Sequence, residues 1–292
     1  MSHGSATDFA AFETVLDAGA LSGVAAPTAT GRGEQVREML RAAGVPQRLR
    51  GDGLVVLSGL DVLPEERWSS VFVAICAALG RLLPQGATDG GQTVREVRYR
   101  RGSLHERTVR YSDSRSGGSY HSDGVPVPGP LPDVLALLCV RQATLGGELV
   151  FVDSASALDV ATRKMPRLPT VLGREFHFDQ RREDDPTATV VRRIVERGDD
   201  QHQLVYLRDY VESGHRIAGV RPLAPDEIEA MDVLDEVLAD EALHVEGRLA
   251  PGQIAINDNH RYVHGRHEFP DDVGEQGGRL MLRCWIGTSP GH

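Results

Sequence analysis

The feature that most limits the fold of this chain is a change of hydrophobic period partway along it. Up to about residue 90, apolar positions recur at helical spacing in three stretches, 8–20, 33–43 and 64–82. Pro64 and the acidic residues after it suit the first turn of the last one. One glycine-bounded apolar run, 51–60, interrupts them and reads as a strand. Beyond residue 90 the apolar residues come in short runs at 94–100, 133–140, 146–153, 172–179, 188–195 and 203–208. Three or four more lie between Leu243 and the C-terminus. Only 154–164 and the acidic stretch 225–241 keep helical spacing there, and 112–131 is rich in Ser, Gly and Pro, as a loop is. A helical layer followed by many short strands predicts an α+β chain around a β-sandwich or jelly roll. The expected organisation is one domain over 1–292. An N-terminal helical layer and lead-in strand would take 1–90, and a strand-rich core with lid inserts 91–292.

Charge and cysteine usage narrow the function classes. Basic residues number 32 against 42 acidic, a net charge of −10, which argues against a broad nucleic-acid face. Lys164 is the single lysine, so an isolated arginine carries little information here. Cys76, Cys139 and Cys284 are widely spaced, with no C-x-x-C pair to build a zinc knuckle or a disulfide framework. No apolar stretch is long enough for a membrane span, and the first residues lack the basic and apolar regions of a secretion signal. The expectation is a soluble, cytoplasmic protein acting on a small molecule, without nucleic-acid or membrane partners.

Two segments carry chemistry. In SYHSDGV, His121 and Asp123 have the spacing H-x-D, which in extended backbone points both side chains to one face. In NDNHRYVHGR, His264 follows a strand. Two imidazoles and one carboxylate are the donor set of non-haem Fe(II) sites, which keep coordination positions open. A closed structural zinc site would be richer in thiolates, and no H-E-x-x-H is present. By itself H-x-D is equally compatible with a solvated loop pair.

Five blocks occur in order: YHSDG, PDVLALLCV, GGELVFVD, DNHRYVHGR and RLMLRCWI. Over about residues 95–290 this sequence resembles the Fe(II)/2-oxoglutarate-dependent oxygenases of the taurine dioxygenase and clavaminate synthase family. The resemblance implies a double-stranded β-helix with His121, Asp123 and His264 as iron ligands, 2-oxoglutarate as cosubstrate, and O2. It implies that Arg283 binds the distal carboxylate of 2-oxoglutarate and that Arg279 lies nearer the iron-bound end. A planar guanidinium suits a carboxylate because it donates two parallel hydrogen bonds. One departure is Leu149, at the position where many members carry a threonine after the Gly-Gly-acidic block; Thr144 precedes the glycines instead. Arg266 fits the pattern as a supporting group. Substrate contacts are expected from loops at the barrel mouth, with Arg115, Arg208, Asp209 and Tyr210 as candidates. The implied reaction is hydroxylation of an amino acid or a metabolite derived from one, with release of succinate and CO2. Desaturation, epimerisation or cyclisation could use the same cofactors. A metal-binding jelly roll without oxygenase activity, and a metal-dependent hydrolase or lyase, are the readings from other classes.

Overall fold

A computed structural model describes residues 6–26, 31–85, 91–99, 114, 117, 119–197, 202–270 and 278–288. In chain order the first part holds β1 (Thr7–Asp8), a 3-10 turn Phe9–Phe12, β2 (Glu13–Val15), α1 (Ala18–Ala25), α2 (Arg32–Ala42), α3 (Val45–Gly51), β3 (Leu54–Ser58), α4 (Glu65–Leu79), β4 (Arg81–Leu83) and β5 (Val94–Val97). The second part holds β6 (Val134–Arg141), β7 (Leu149–Asp153), α5 (Ser154–Lys164), α6 (Leu168–Leu172), β8 (Glu175–Asp179), β9 (Thr189–Arg193), β10 (Val195–Arg197) and β11 (His202–Leu204). It continues with α7 (Arg208–His215), α8 (Pro225–Leu238), β12 (His244–Gly247), β13 (Ile254–Asp258), β14 (Tyr262–Arg266) and β15 (Leu280–Gly287). No helix among the described residues is long and apolar enough to cross a membrane.

The strands form two main sheets. The larger runs β2-β3-β13-β6-β15-β4, with β5 also on β15; the smaller runs β1-β12-β7-β14. Hairpins β8-β9 and β10-β11 stand apart from both. Leu135, Leu137 and Met281 of the larger sheet share one buried cluster with Leu149, Phe151 and Tyr262 of the smaller. The two sheets therefore pack face to face, as a jelly roll requires.

Strand alternation divides the side chains between layers. On β15, Leu282, Cys284 and Ile286 pack outward with Phe72, Ile75 and Cys76 of α4. Met281 and Trp285 go to the inner cluster, and Arg283 shares their parity. On β7, Val150 and Val152 face outward to α5, α6 and α8, while Leu149 and Phe151 face inward. Burying each large apolar side chain contributes roughly 1.5–3 kcal/mol. Cys76, Cys139 and Cys284 are buried and unpaired by disulfide; burial pushes the Cys139 thiol up to about 11.

Helix α5 falls on the expected residues. The side chain of Asp153 accepts from Ser156 N–H at its start, and Arg163 and Lys164 lie in its last turn. Three expectations are corrected. The stretch 8–20 is not one helix, because Glu13–Val15 pairs in parallel with β3 and Asp17 caps a new helix at Ala18. The 64–82 helix stops at Leu79. At Gly80 a Cβ would lie 2.5 Å from Gly287 O, so the chain turns against β15 there and Arg81–Leu83 join that strand. The segment 206–216, expected as a loop, holds α7, whose buried Tyr210, Val211 and His215 pack inward.

Candidate metal centre

His121 and His264 come together through one antiparallel bridge. Each donates its backbone N–H to the other's carbonyl at 2.8 Å. β7 pairs on the other side of β14, opposing Phe151 to His264. The pair thus rests on sheet backbone, and the imidazole centroids lie 4.3 Å apart. Alternation holds across the H-x-D segment: Ser122 turns away, donating its hydroxyl to Leu204 O and its N–H to Tyr206 O. Asp123 turns back toward the histidines, with Oδ1 3.8 Å from His121 Nε2. Asn259 fixes the Asp123 backbone on both sides, accepting its N–H at 2.9 Å and donating to its carbonyl at 3.1 Å. Gly124 follows in the left-handed region (φ +84°), where a Cβ would lie 2.5 Å from Pro132.

His121, Asp123 and His264 each offer a donor atom, all within 4.8 Å of one another, and all three are buried. His121 Nδ1 faces Ser119 O at 3.0 Å; with the proton on Nδ1, Nε2 keeps its lone pair toward Asp123. His264 Nδ1 is buried with no hydrogen-bond partner. Burial, together with the charges of Arg283 and Arg266, lowers the His121 pKa against the pull of Asp123. Burial and then His121 push His264 down to about 3. Burial alone would raise Asp123, but Arg283, the two histidines and the Trp285 hydrogen bond hold its carboxyl below the ordinary range. At neutral pH the cluster is two neutral imidazoles and one carboxylate. That is the protonation state a divalent cation needs, so binding would displace no proton from it. The spare nitrogen and this donor set fit a facial Fe(II) site with open positions.

A cavity partly open to solvent lies against His121 and His264. Val97, Leu137, Leu149 and Met281 supply apolar wall; Arg266, Arg279 and Arg283 supply guanidinium groups. Arg283 donates through Nη1 to Asp123 Oδ1 at 2.9 Å and through Nε to Gln85 Oε1 at 2.8 Å. Gln85 returns a bond to the Arg283 carbonyl at 2.6 Å. Arg279 donates through Nε to Gln142 Oε1 at 3.2 Å and lies 5.5 Å from the Phe269 ring centre.

Both arginines expected to serve the cosubstrate line this cavity. Arg283, expected at the distal end of the cosubstrate, touches Asp123, and its charge acts on all three cluster members. Arg279, expected nearer the metal, sits before β15 beside Gly147. Leu149 lines the cavity and Thr144 is exposed, so no hydroxyl side chain stands among the described lining residues. Arg266 donates to Ser114 O and stacks near Phe269, which ties the loop before His121 to β14.

The substrate candidates lie elsewhere. Arg208 is held by Glu212, Asp232 and Asp235 at 2.7–3.0 Å. Tyr210 is buried under the Arg181 guanidinium at 3.9 Å, and Asp209 is exposed in the first turn of α7. None of the three lines this cavity. Arg115 lies outside the described residues. His260 bridges Gln203 and Asp133. Sequence reasoning missed Asn259, Gln85 and Trp285. The first lies inside the DNHRYVHGR block and the third is two positions from Arg283 on the same strand face, so both left a signal. Gln85 left none.

A family model for the taurine catabolism dioxygenase TauD, TfdA family matches residues 24–285. FR-33289 synthase of Streptomyces rubellomurinus (strain ATCC 31215) is 29% identical over 263 residues, covering 87% of this chain and 74% of that protein. An asparagine oxygenase solved with Fe(II), 2S,3S-3-hydroxyasparagine and succinate superposes with a TM-score of 0.71 at 20% identity, over 95% of this chain and 94% of that one. The non-heme iron oxygenase OrfP, solved with Fe and alpha-ketoglutaric acid, does so with a TM-score of 0.64 at 18% identity, over 95% and 94%.

Proposed function

Since the chain belongs to the taurine catabolism dioxygenase TauD, TfdA family, and so to the iron- and 2-oxoglutarate-dependent dioxygenases, we propose that His121, Asp123 and His264 hold its Fe(II). We propose further that the enzyme hydroxylates a free amino acid or a small metabolite derived from one, in the cytoplasm. The observation that carries the site is the buried cluster itself: two uncharged imidazoles and one carboxylate within 4.8 Å, with a partnerless nitrogen on His264. The substrate class is supported by the relatives. Solved structures of similar fold hold hydroxyasparagine and (3S)-hydroxy-L-Arg, and FR-33289 synthase is similar along most of this chain.

When bound, iron and 2-oxoglutarate supply the oxidising power to place an oxygen atom from O2 on an unactivated C–H bond, releasing succinate and CO2. The chain's own residues do the rest. Arg279 lines the cavity with its guanidinium beside the Phe269 ring. It is the group suited to the distal carboxylate of 2-oxoglutarate, through a paired donor geometry that a lysine could not supply. Arg283 stays at the metal end and holds Asp123 ionised and in place. Val97, Leu137, Leu149 and Met281 give the cavity an apolar wall beside these charges. With Leu149 where many members place a hydroxyl, cosubstrate affinity rests on the arginines.

Purified protein given Fe(II), ascorbate and 2-oxoglutarate is expected to form succinate slowly, and faster with an amino-acid-like substrate. His121→Ala is expected to lose both metal binding and turnover. Absence of succinate with every member of an amino-acid library would overturn the substrate reading. Activity under anaerobic conditions with zinc would overturn the oxygenase reading.

A further inference from the structure

Asp123 differs from an ordinary carboxylate in that both its oxygens are already engaged, by donors on one strand. Oδ1 accepts from Arg283 Nη1 at 2.9 Å, and Oδ2 accepts from Trp285 Nε1 at 2.9 Å. Oδ1 is also the oxygen 3.8 Å from His121 Nε2. We propose that Trp285 is a positioning residue that limits Asp123 to one-oxygen coordination of the metal, a role that rests on the reading of the triad as the Fe(II) site.

The physical argument begins with the donor. An indole N–H can only donate, so it engages Oδ2 in one sense and ignores an incoming cation. Oδ1 also accepts from Arg283 but is the oxygen turned to the histidines, and its second lone pair is left for a metal; the indole holds Oδ2 on the other side of the carboxylate. Swinging to a two-oxygen chelate would turn the carboxylate against this buried, charge-assisted hydrogen bond. One-oxygen coordination leaves one more position open than chelation does, and open positions are what a catalytic metal needs.

The indole is also rigidly placed. Trp285 is 5% exposed, and its backbone pairs with Leu83 on one side and Leu135 on the other. Its ring lies 5.0 Å from the Arg283 guanidinium carbon, so it braces the second donor to Asp123 as well. The two donors differ in kind. Arg283 divides its hydrogen bonds between Asp123 and Gln85 and adds charge; Trp285 adds direction without charge.

The test uses the full-length, metal-free enzyme titrated anaerobically with Co(II), whose visible absorption reports coordination number. Trp285→Phe keeps an aromatic ring and removes the donor. A second variant carries benzothienylalanine in place of Trp285, with sulfur where the N–H was, and keeps the indole shape if phenylalanine fails to fold. Both are expected to bind Co(II) about 10-fold more tightly, because the freed second oxygen of Asp123 can join a chelate, and to show the weaker visible absorption of a higher coordination number. The melting temperature of the metal-free protein confirms an intact fold. Affinity within twofold and an unchanged spectrum in both variants would overturn the proposal. So would a change in the phenylalanine variant that the sulfur isostere does not share, because packing would then be the cause. If the unsubstituted enzyme takes up no Co(II) at the triad, the metal-site reading itself fails and takes the proposal with it. Tight binding by the unsubstituted enzyme alone keeps the two questions separate.

Discussion

Two of the groups of charged and titratable side chains among the described residues are built to opposite ends. At the triad, His121, Asp123 and His264 sit between the two sheets with a single carboxylate among them, and one buried imidazole nitrogen has no partner. Around α8, Arg208 meets Glu212, Asp232 and Asp235, Tyr206 donates to Asp235 at 2.7 Å, and Arg221 makes two bonds to Glu227. In the second group every named cation is paired with carboxylates, and the pairs clasp α8 to the segment after β11, to α7 and to the segment after α7. The first keeps lone pairs to spare. Density of titratable residues is therefore a poor guide to chemistry; unspent coordinating capacity in a dry place is a better one.

The contrast can be broken most sharply with a pair of substitutions. His121→Ala is expected to lose Fe(II) binding and succinate formation by more than the ~10–100-fold that a change behind a ligand costs. Arg208→Ala is expected to leave both nearly unchanged while lowering the melting temperature. A Arg208→Ala protein that folds normally but has lost turnover would show that the clasp serves the reaction after all.

The next effect sharpens the division within the cavity. Arg279→Ala should raise KM for 2-oxoglutarate on the order of 10²-fold, since removing one partner of a buried charge pair costs about 2–5 kcal/mol. Metal affinity should stay within a few-fold. Steady-state kinetics with metal titration checks both, and a larger loss of metal than of cosubstrate would restore the order expected from the sequence.

Smaller effects belong to the clasp. Tyr206→Phe removes the hydroxyl that donates to Asp235 and should cost about 1.5 kcal/mol, a shift of a few degrees in thermal unfolding. Glu227→Gln should cost about 1 kcal/mol near neutrality, because Arg221 is half exposed and screened. Burial raises the Glu227 pKa, but Arg221, the Ala224 N–H and Arg174 outweigh it and hold the group below its ordinary value of 4.5. Its contribution is thus fully present above that value and is lost as pH falls through the lower, folded one. The difference between the two proteins should shrink in acid, as denaturant melts at pH 7 and in acid would show.

Much of the site was readable in advance because strand alternation fixes which side chains share a face. H-x-D put His121 and Asp123 together, whereas Arg279 and Arg283 came from the family resemblance. Alternation could not have placed Arg279, which precedes β15 and is separated from Arg283 by a register shift at Leu280–Met281. The hydrophobic period located α5 and β6 closely for the same local reason. It failed over 8–20, where parallel pairing of Glu13–Val15 with β3 overrode helical spacing, and over 208–215, where a polar-looking segment buries Tyr210 and Val211 as a helix. Asn259 and Gln85 act on residues 136 and 198 positions away, across contacts that no local pattern encodes.

The sequence by itself determined the donor set, the layer each β15 side chain faces and the sheet-rich core, because those follow from side-chain chemistry and a backbone period of two. Only the tertiary structure decided that His121 and His264 share a bridge, that Asp123 is held by Asn259, Arg283 and Trp285 together, and that Arg208 is spent on carboxylates. Those outcomes depend on which distant segments pair. Pairing is settled by burial and hydrogen-bond satisfaction over the whole molecule rather than by any stretch of it.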